Sequence, residues 1–129
     1  MDQSFPKKQH LKHRKLFDAL FSSGRKEFQH PVLAVWKVTE LQESVPVQTG
    51  FTASKRNYKK AVKRNELKRI MRESYRTQKQ PLEEYLAEQN KQIALLFVML
   101  KTDNTSYEVV QAKILLLLQE IERKLRNAE

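Results

Sequence analysis

The 129-residue sequence contains no cysteine and only two glycines and four prolines. Without cysteine the chain has no disulfide, no thiolate metal ligand and no cysteine nucleophile. Its longest apolar run, residues 93–100, falls far short of the roughly 20 residues that cross a bilayer. The N-terminus also lacks an apolar segment long enough for a secretory signal. We therefore expect a soluble cytoplasmic protein without membrane contacts, a single domain over residues 1–129, and a flexible basic arm over residues 1–10.

The sequence also lacks the groupings of side chains that protein catalysis requires. Its three aspartates, Asp2, Asp18 and Asp103, fall in three different elements, so no paired carboxylates suggest a two-metal nuclease site. His10 and His13 are three residues apart, but without a third ligand or a nearby acid they are better interpreted as solvated histidines. No phosphate-binding loop or dinucleotide motif is present. We therefore predict no catalytic residue, no metal site and no tightly bound cofactor in this polypeptide.

Acidic residues are scarce in one stretch, and this scarcity dominates the charge of the chain. The sequence has 25 basic and 15 acidic residues, a net charge of +10. Residues 55–79 hold eleven of the basic residues and two of the acids, Glu66 and Glu73, which leaves fourteen against thirteen elsewhere. An excess this local indicates one binding surface for a polyanion rather than a generally basic protein.

The basic stretch has a helical pattern from about Ala61 onward. At 100° per residue its apolar side chains form one stripe: Leu67, Ile70, Met71 and Ser74. Its cations and one amide form the opposite arc: Arg64, Asn65, Lys68, Arg69, Arg72 and Arg76. An ordinary solvated helix face would intersperse acids among these cations at i,i+4 spacing. Since such acids are nearly absent, we interpret the arc as a surface that binds nucleic acid.

The other segments indicate an α+β fold. Helices are predicted at 11–23, ending at Gly24, and at about 105–126, where Thr105 and Glu108 form a capping box. Strands are predicted at 32–38, 47–54 and 92–100, and residues 40–46 form a turn or hairpin loop. Residues 82–89 are either a short helical turn or a connector. Together with the basic helix, these segments predict a single mixed sheet of about four strands with three helices, in which the basic helix connects an outer strand to the central one.

The segment from Ala61 to Glu73, AVKRNELKRIMRE, resembles the signature of the bacterial ribonuclease P protein component, which has an Arg-Asn-Arg helix with Lys-Arg and Arg-Glu at this spacing. The preceding GFTASKR, residues 50–56, is similar to the family's strand ending in Ser-Lys-Lys or Ser-Lys-Arg. The spacing of Leu11, Phe17, Phe21 and Gly24 matches the family's first helix. Three departures stand out: Glu66 replaces the second arginine of the motif, residues 57–60 replace a glycine-bearing turn, and Ala34 replaces an aromatic residue for which Trp36 is the predicted substitute.

This resemblance implies a fold like domain IV of elongation factor G and a ribosomal-protein domain, with a left-handed strand–helix–strand crossover. It also implies a function, that of the protein subunit of an endonuclease that removes the 5′ leader from precursor tRNA. The implied catalyst is an RNA that requires magnesium. The implied contacts with the RNA subunit are Lys55, Arg56, Lys60, Arg64, Asn65, Lys68, Arg69 and Arg72. The implied contacts with the single-stranded leader, in a cleft between the first helix and the sheet, are Phe17, Phe21, Trp36, Thr52 and Ser54.

The residues alone leave other interpretations open. Phe17 and Phe21, four apart on a helix, are more often core residues than a stacking surface. A structural ribosomal-type or general RNA-binding protein would equally explain the basic helix. A DNA-binding helix-turn-helix protein is disfavoured by the sheet-forming segments, so DNA is not an expected partner. A nuclease acting alone is disfavoured by the scattered aspartates.

Overall fold

The structure is a computed structural model that describes residues 3–103 and 105–128. Its four α-helices are α1 (Arg14–Ser23), α2 (Ala61–Arg76), α3 (Gln80–Glu88) and α4 (Tyr107–Asn127). Its four strands are β1 (Arg25–Gln29), β2 (Val32–Val38), β3 (Val47–Ala53) and β4 (Ile93–Met99), and a short 3-10 helix spans Lys7–Gln9. The predicted α+β class and single mixed sheet are therefore confirmed.

The sheet has the strand order β1-β2-β4-β3, with β3 parallel to β4 and the other pairs antiparallel. Because β4 lies between β2 and β3, the loop at 40–46 is not a hairpin turn. The segment containing α2 and α3 instead crosses from the edge strand β3 to the inner strand β4, as the sequence predicted for the basic helix. The left-handed sense of this crossover stays a prediction.

Side chains that alternate along the strands divide the core into two clusters. On one side of the sheet, which we call the covered face, α2, α3 and α4 pack over residues such as Val32, Leu95 and Phe97. On the other side, which we call the α1 face, α1 and Leu11 pack over Val35 and Leu96. The covered face therefore holds most of the core, and the α1 face is only partly shielded.

Three details of the elements differ from the sequence prediction. There are four helices rather than three, because Pro81 occupies the first turn of α3, where its missing N–H costs nothing. Strand β1 was not identified, because its alternation has a single buried residue, Glu27. The N-cap of α4 is Ser106, whose Oγ accepts a hydrogen bond from the Val109 N–H, and not Thr105.

Helix α1 begins at Arg14 rather than at residue 11, because Leu11 belongs to an extended segment. The Leu11 N–H donates to the Thr49 carbonyl at 3.0 Å, and His10 forms a bridge with Thr49 on the outer edge of β3. Gly24 ends α1 as predicted. A Cβ at Gly24 would lie 2.4 Å from the Leu20 carbonyl oxygen, so only glycine fits where α1 turns into β1.

No helix in residues 3–103 and 105–128 is both long and apolar enough to span a membrane.

Candidate functional site

Helix α2 is held against the covered face by its apolar stripe. Leu67, Met71 and Tyr75 are almost fully buried in the larger core cluster, where they pack between β3 and α4. Burial raises the pKa of Tyr75 well above its ordinary value, so its hydroxyl stays neutral throughout the physiological range. With one side fixed in the core, the helix holds its other side toward solvent.

The outer side of α2 carries the predicted cations, which we call the cationic face: Arg64, Asn65, Lys68, Arg69 and Arg72. Asn65, Arg69 and Arg72 are exposed, and Arg64 and Lys68 are partly exposed. In the described part of the chain, α2 has one internal ion pair, between Arg76 Nε and Glu73 Oε2 at 2.7 Å. Among the described residues, the cations of the cationic face are therefore not paired with carboxylates.

Arg64 has a second role, which the sequence did not reveal. Its Nη1 donates to the carbonyl of Tyr58 at 2.9 Å and to that of Lys59 at 2.8 Å. A guanidinium has five N–H donors, so the remaining N–H groups can still bind a phosphate. Arg64 thus ties the loop before α2 to the first turn of the helix while it stays part of the cationic face.

The loop between β3 and α2 presents the remaining predicted cations, Lys55, Arg56 and Lys60, and all three are exposed. Tyr58 fixes this loop: its hydroxyl donates to the Leu100 carbonyl at 2.7 Å and accepts from the Thr102 N–H at 3.2 Å. Burial raises the pKa of Tyr58, which keeps this donor protonated. The loop cations therefore extend the cationic face beyond the N-terminus of α2.

Some charges of the basic stretch do not belong to this surface. Lys79 is only 2% exposed, and its Nζ contacts Gln9 Oε1 at 2.8 Å and Glu83 Oε2 at 3.3 Å. Lys63 donates to Thr105 Oγ1 at 3.1 Å, which ties α2 to the segment before α4. Glu66, the unexpected acid of the motif, is exposed on α2. The count of eleven cations in residues 55–79 thus overstates the surface available to a polyanion.

A second candidate surface lies on the α1 face, beyond the part that α1 covers. Directly paired residues place Phe28, Leu33, Val98 and Thr52 in one row across all four strands, which we call the open row. Phe28 is 63% exposed, and the other three are partly exposed. Phe17 of α1 packs partly exposed around the same small cluster as Leu33 and Val98. The result is an open cleft with an aromatic and aliphatic floor.

The structure brings together only some of the residues predicted to line the cleft. Phe17 and Thr52 belong to it, and Phe21, one helical turn after Phe17, is 62% exposed. Ser54 follows the end of β3, where its Oγ accepts a hydrogen bond from the Asn57 N–H and stabilises the turn.

The prediction for Trp36 is wrong. Trp36 faces the opposite side of the sheet, is 1% exposed, and packs in the larger core cluster. Its Nε1 donates to Glu27 Oε2 at 3.0 Å, so the indole is a satisfied core residue rather than a stacking surface. The predicted substitution of Ala34 by Trp36 fails for the same reason, since both residues face the covered side.

Sequence reasoning missed three residues of the open row, Phe28, Leu33 and Val98. Phe28 was missed because β1 was not identified. Leu33 and Val98 lie within strongly apolar strands, where sequence cannot tell a covered position from an open one. The available signal was parity: Leu33 is an odd number of residues from Trp36, so the two side chains point to opposite faces.

A cationic helix on one side of the sheet and a partly open cleft on the other suit an RNA-binding protein, and comparison with known proteins identifies the family. The model of the ribonuclease P family matches residues 5–122, which is nearly the whole chain. The chain belongs to the ribonuclease P protein family. The ribonuclease P protein component of Chlorobium phaeobacteroides is 37% identical over 96% of this chain and 87% of that protein. The ribonuclease P protein component of Porphyromonas gingivalis is 24% identical over 81% of this chain and 77% of that protein.

Solved ribonuclease P proteins have the same fold. The Thermotoga maritima ribonuclease P protein superposes with a TM-score of 0.68 at 20% identity, covering 86% of this chain and 96% of that one. The Staphylococcus aureus ribonuclease P protein superposes with a TM-score of 0.67 at 16% identity, covering 88% and 94%. The family resemblance in the sequence is thus confirmed, and so is the function it implies: the chain is a protein subunit of ribonuclease P that acts in tRNA processing, with an RNA subunit as its partner.

Proposed function

We propose that this ribonuclease P protein binds two RNAs on two different surfaces and leaves the chemistry to RNA. The cationic face of α2 and the loop at 55–60 dock on the RNA subunit. The cleft on the α1 face holds the single-stranded 5′ leader of precursor tRNA. The RNA subunit, with its magnesium ions, hydrolyses the phosphodiester bond in the cytoplasm, and the protein itself binds no cofactor tightly.

One observation carries this proposal: within residues 3–103 and 105–128, no carboxylate pairs with the cations of the cationic face of α2. Such a face repels itself until a polyanion arrives, and neighbouring cations along a helix lie about 5–6 Å apart. That spacing suits successive backbone phosphates better than one small anion. Folded RNA supplies such phosphates, and its counterions are released on binding.

The leader assignment is supported by the chemistry of the open row. Unpaired bases are bound by aromatic stacking and apolar contact, largely without sequence preference. Phe17 and Phe28 provide aromatic rings at the cleft, and Leu33 and Val98 provide its aliphatic floor. Because the cleft is open along the sheet, an extended strand fits it better than a duplex.

Reconstitution with the cognate RNA subunit tests the proposal. Two RNAs repel each other, and protein cations between them reduce the magnesium that assembly requires. We expect the protein to restore cleavage of a precursor tRNA at magnesium concentrations where the RNA subunit alone is inactive. Tight RNA binding without any gain in cleavage would instead favour a structural RNA-binding protein.

The leader site has a test of its own. Phe17→Ala and Phe28→Ala should each weaken affinity for leader-bearing precursor tRNA by about 1–3 kcal/mol, the usual contribution of one stacked base. Affinity for mature tRNA should not change. Tyr107→Ala removes an exposed aromatic ring on α4 and is the matched control. Equal losses for precursor and mature tRNA would show that the cleft does not bind the leader.

A further inference from the structure

A cavity beside the N-terminal segment lies at the end of the cationic face and outside the open row. The N-terminal segment, residues 3–13, was predicted to be a flexible arm up to residue 10, but its described residues pack along the outer edge of β3. Gln48 Nε2 donates to the Lys8 carbonyl at 3.0 Å, and the backbone contacts of His10 and Leu11 with β3 are both made to Thr49. Beyond Thr49 the segment leaves the strand, and a cavity of about 470 Å³ lies between it and α2.

Three aromatic rings line this cavity. Phe5 packs against His10 with ring centroids 4.3 Å apart and meets Phe51 edge-on at 5.9 Å. Phe5 also meets Tyr75 at 5.8 Å, so the cluster rests on the core. All three lining rings are partly exposed, and the position of His10 is fixed further by the contact of its Nε2 with the Phe5 carbonyl at 3.1 Å. The cavity thus offers an aromatic wall whose geometry is set by the fold.

Two guanidinium groups also line the cavity. Arg72 is exposed and belongs to the cationic face, and Arg76 lies one helical turn further along. Arg76 is oriented by two contacts, Nε with Glu73 at 2.7 Å and Nη1 with the Gln3 carbonyl at 3.2 Å. Lys68, Arg72 and Arg76 follow one another at i,i+4 spacing. The cation row of α2 therefore leads directly into the aromatic cavity.

We propose that this cavity binds one unpaired nucleotide of an RNA, with the base against Phe5 and His10 and its phosphate between Arg72 and Arg76. A site for a simple anion does not require aromatic rings, and a site for an apolar ligand does not require two arginines in its wall. Aromatic rings for the base and arginines for the phosphate are the usual combination in sites for single-stranded nucleic acid. The volume also lies within the range of sites for small ligands, about 300–1,000 Å³.

This proposal rests on the proposed function for the source of the nucleotide. Continuity with the cationic face favours the RNA subunit, whose strand would follow the cation row and place an unpaired residue in the cavity. The precursor leader is the other source of the same chemistry, because the cavity lies at the edge strand β3, between the covered face and the α1 face.

Nuclear magnetic resonance of the isotope-labelled full chain tests the site directly, with adenosine 5′-monophosphate as the probe. We expect saturable shifts at Phe5, His10, Phe51 and Arg72, and markedly weaker binding of adenosine or inorganic phosphate alone. His10→Ala and Arg76→Gln should each weaken binding of the nucleotide by about tenfold, which corresponds to roughly 1.4 kcal/mol. Equal affinity for inorganic phosphate and the nucleotide, or shifts confined to other surfaces, would overturn the proposal.

The chain offers a matched control for Arg76. Arg123 of α4 forms the same kind of ion pair, with Glu120 three residues earlier, on a surface far from the cavity in the sequence and in the fold. Arg123→Gln should leave nucleotide binding unchanged. Phe5→Leu keeps an apolar side chain over the core and removes the aromatic ring, so it separates lost stacking from lost folding, which the thermal unfolding midpoint monitors.

Two binding assays then separate the two sources. Loss of affinity of the His10→Ala and Arg76→Gln variants for the isolated RNA subunit supports the site with that RNA as its source. Loss confined to leader-bearing precursor tRNA supports the site with the leader as its source, and no loss in either assay overturns it. The wild-type cleavage assay distinguishes the proposed function from the proposed nucleotide site. If the wild-type protein restores cleavage but does not bind the nucleotide, then the nucleotide site is disproved and the proposed function stands.

Discussion

Helices α2 and α4 pack side by side on the covered face of the sheet, and both carry cations on their outer sides, yet the cations have different partners. α2 has six basic and two acidic residues, and α4 has four basic and three acidic residues. In α4 three of the cations are paired with carboxylates, namely Arg123 with Glu120, Lys124 with Glu27 and Arg126 with Glu122. Among the described residues, the cations of α2 form one such pair, between Arg76 at its last position and Glu73.

If α2 binds RNA as proposed, this difference means that the number of cations alone is a poor guide to an RNA-binding surface. Paired charges on α4 mainly neutralise each other and complement the C-terminal end of the helix dipole. Unpaired charges on α2 add up to a field that only an external polyanion relieves. The informative feature of the sequence was therefore the scarcity of acids between residues 55 and 79.

Reversing charges on the two helices should give the largest contrast. The double variant Arg69→Glu/Arg72→Glu should bind the RNA subunit at least about 100-fold more weakly, since each charge-assisted contact contributes roughly 1.5–3 kcal/mol. The slope of log affinity against log salt should also become shallower by about 0.7–0.9 for each lost phosphate contact. Arg123→Glu on α4 is the control and should change neither quantity. Titrations at several salt concentrations measure both, and an unchanged slope for the double variant would contradict the assignment.

Removal of Glu27, the acid that pairs with Lys124 of α4, should instead lower the stability of the fold. Glu27 is buried, and it accepts hydrogen bonds from Trp36 Nε1 at 3.0 Å and from Lys124 Nζ at 2.5 Å. Glu27→Ala leaves the buried indole N–H without its acceptor, so the free energy of unfolding should fall by about 2–3 kcal/mol. Affinity for the RNA subunit should stay as it was once the protein is folded. Denaturant unfolding combined with RNA titration checks both parts, and a loss of affinity without a loss of stability would place Glu27 in the interface.

How well the sequence predicted each element depended on how regularly its buried and exposed residues alternate. The apolar stripe of α2, strand β2 at 32–38 and the core positions of α4 were predicted because burial imposes a regular period on the sequence. Strand β1 was not predictable, because an edge strand with one buried residue, Glu27, has almost no period. For residues 82–89 the sequence left a short helical turn and a connector open, because Pro81 was interpreted as a helix stop although it lies at a helix start.

The candidate site was likewise predictable only in part. The exposure of the α2 cations was predicted correctly, because a helix anchored on one side must expose the other. Trp36 was misplaced in the cleft because a large aromatic residue on a strand gives no sign of which face is open. The cavity between the N-terminal segment and α2 depends on contacts between residues about 70 positions apart, such as Gln3 with Arg76, and no local pattern encodes them.

Alkaline pH should weaken the packing of α2 and of the loop that precedes it. Burial raises the pKa of both Tyr58 and Tyr75 above the ordinary value of 10.0. Each tyrosine therefore stabilises the fold fully below pH 10, and that stabilisation is lost as the pH rises toward the folded-state pKa, because the unfolded chain loses its proton first. The free energy of unfolding should fall by up to about 1.4 kcal/mol per pH unit for each tyrosine. Denaturant unfolding between pH 9 and 11 measures this, and Tyr58→Phe should reduce the pH dependence.

Removal of the acids of α4 should have the smallest effect, and it tests the comparison of α2 with α4 from the opposite direction. If pairing with acids is what keeps α4 from binding RNA, then removing those acids should turn α4 into a weak RNA-binding surface. The double variant Glu120→Gln/Glu122→Gln removes the carboxylates that pair with Arg123 and Arg126, while it keeps side chains of the same size.

For this variant we expect a few-fold gain in affinity for nonspecific single-stranded RNA and a salt slope steeper by up to about 0.7 for each freed cation. Cleavage of precursor tRNA should not improve, because the new contacts lie away from the cationic face of α2. If affinity and slope stay unchanged although both cations are free, then the scarcity of acids does not account for the proposed RNA binding by α2, and the geometry of its cations must be the cause.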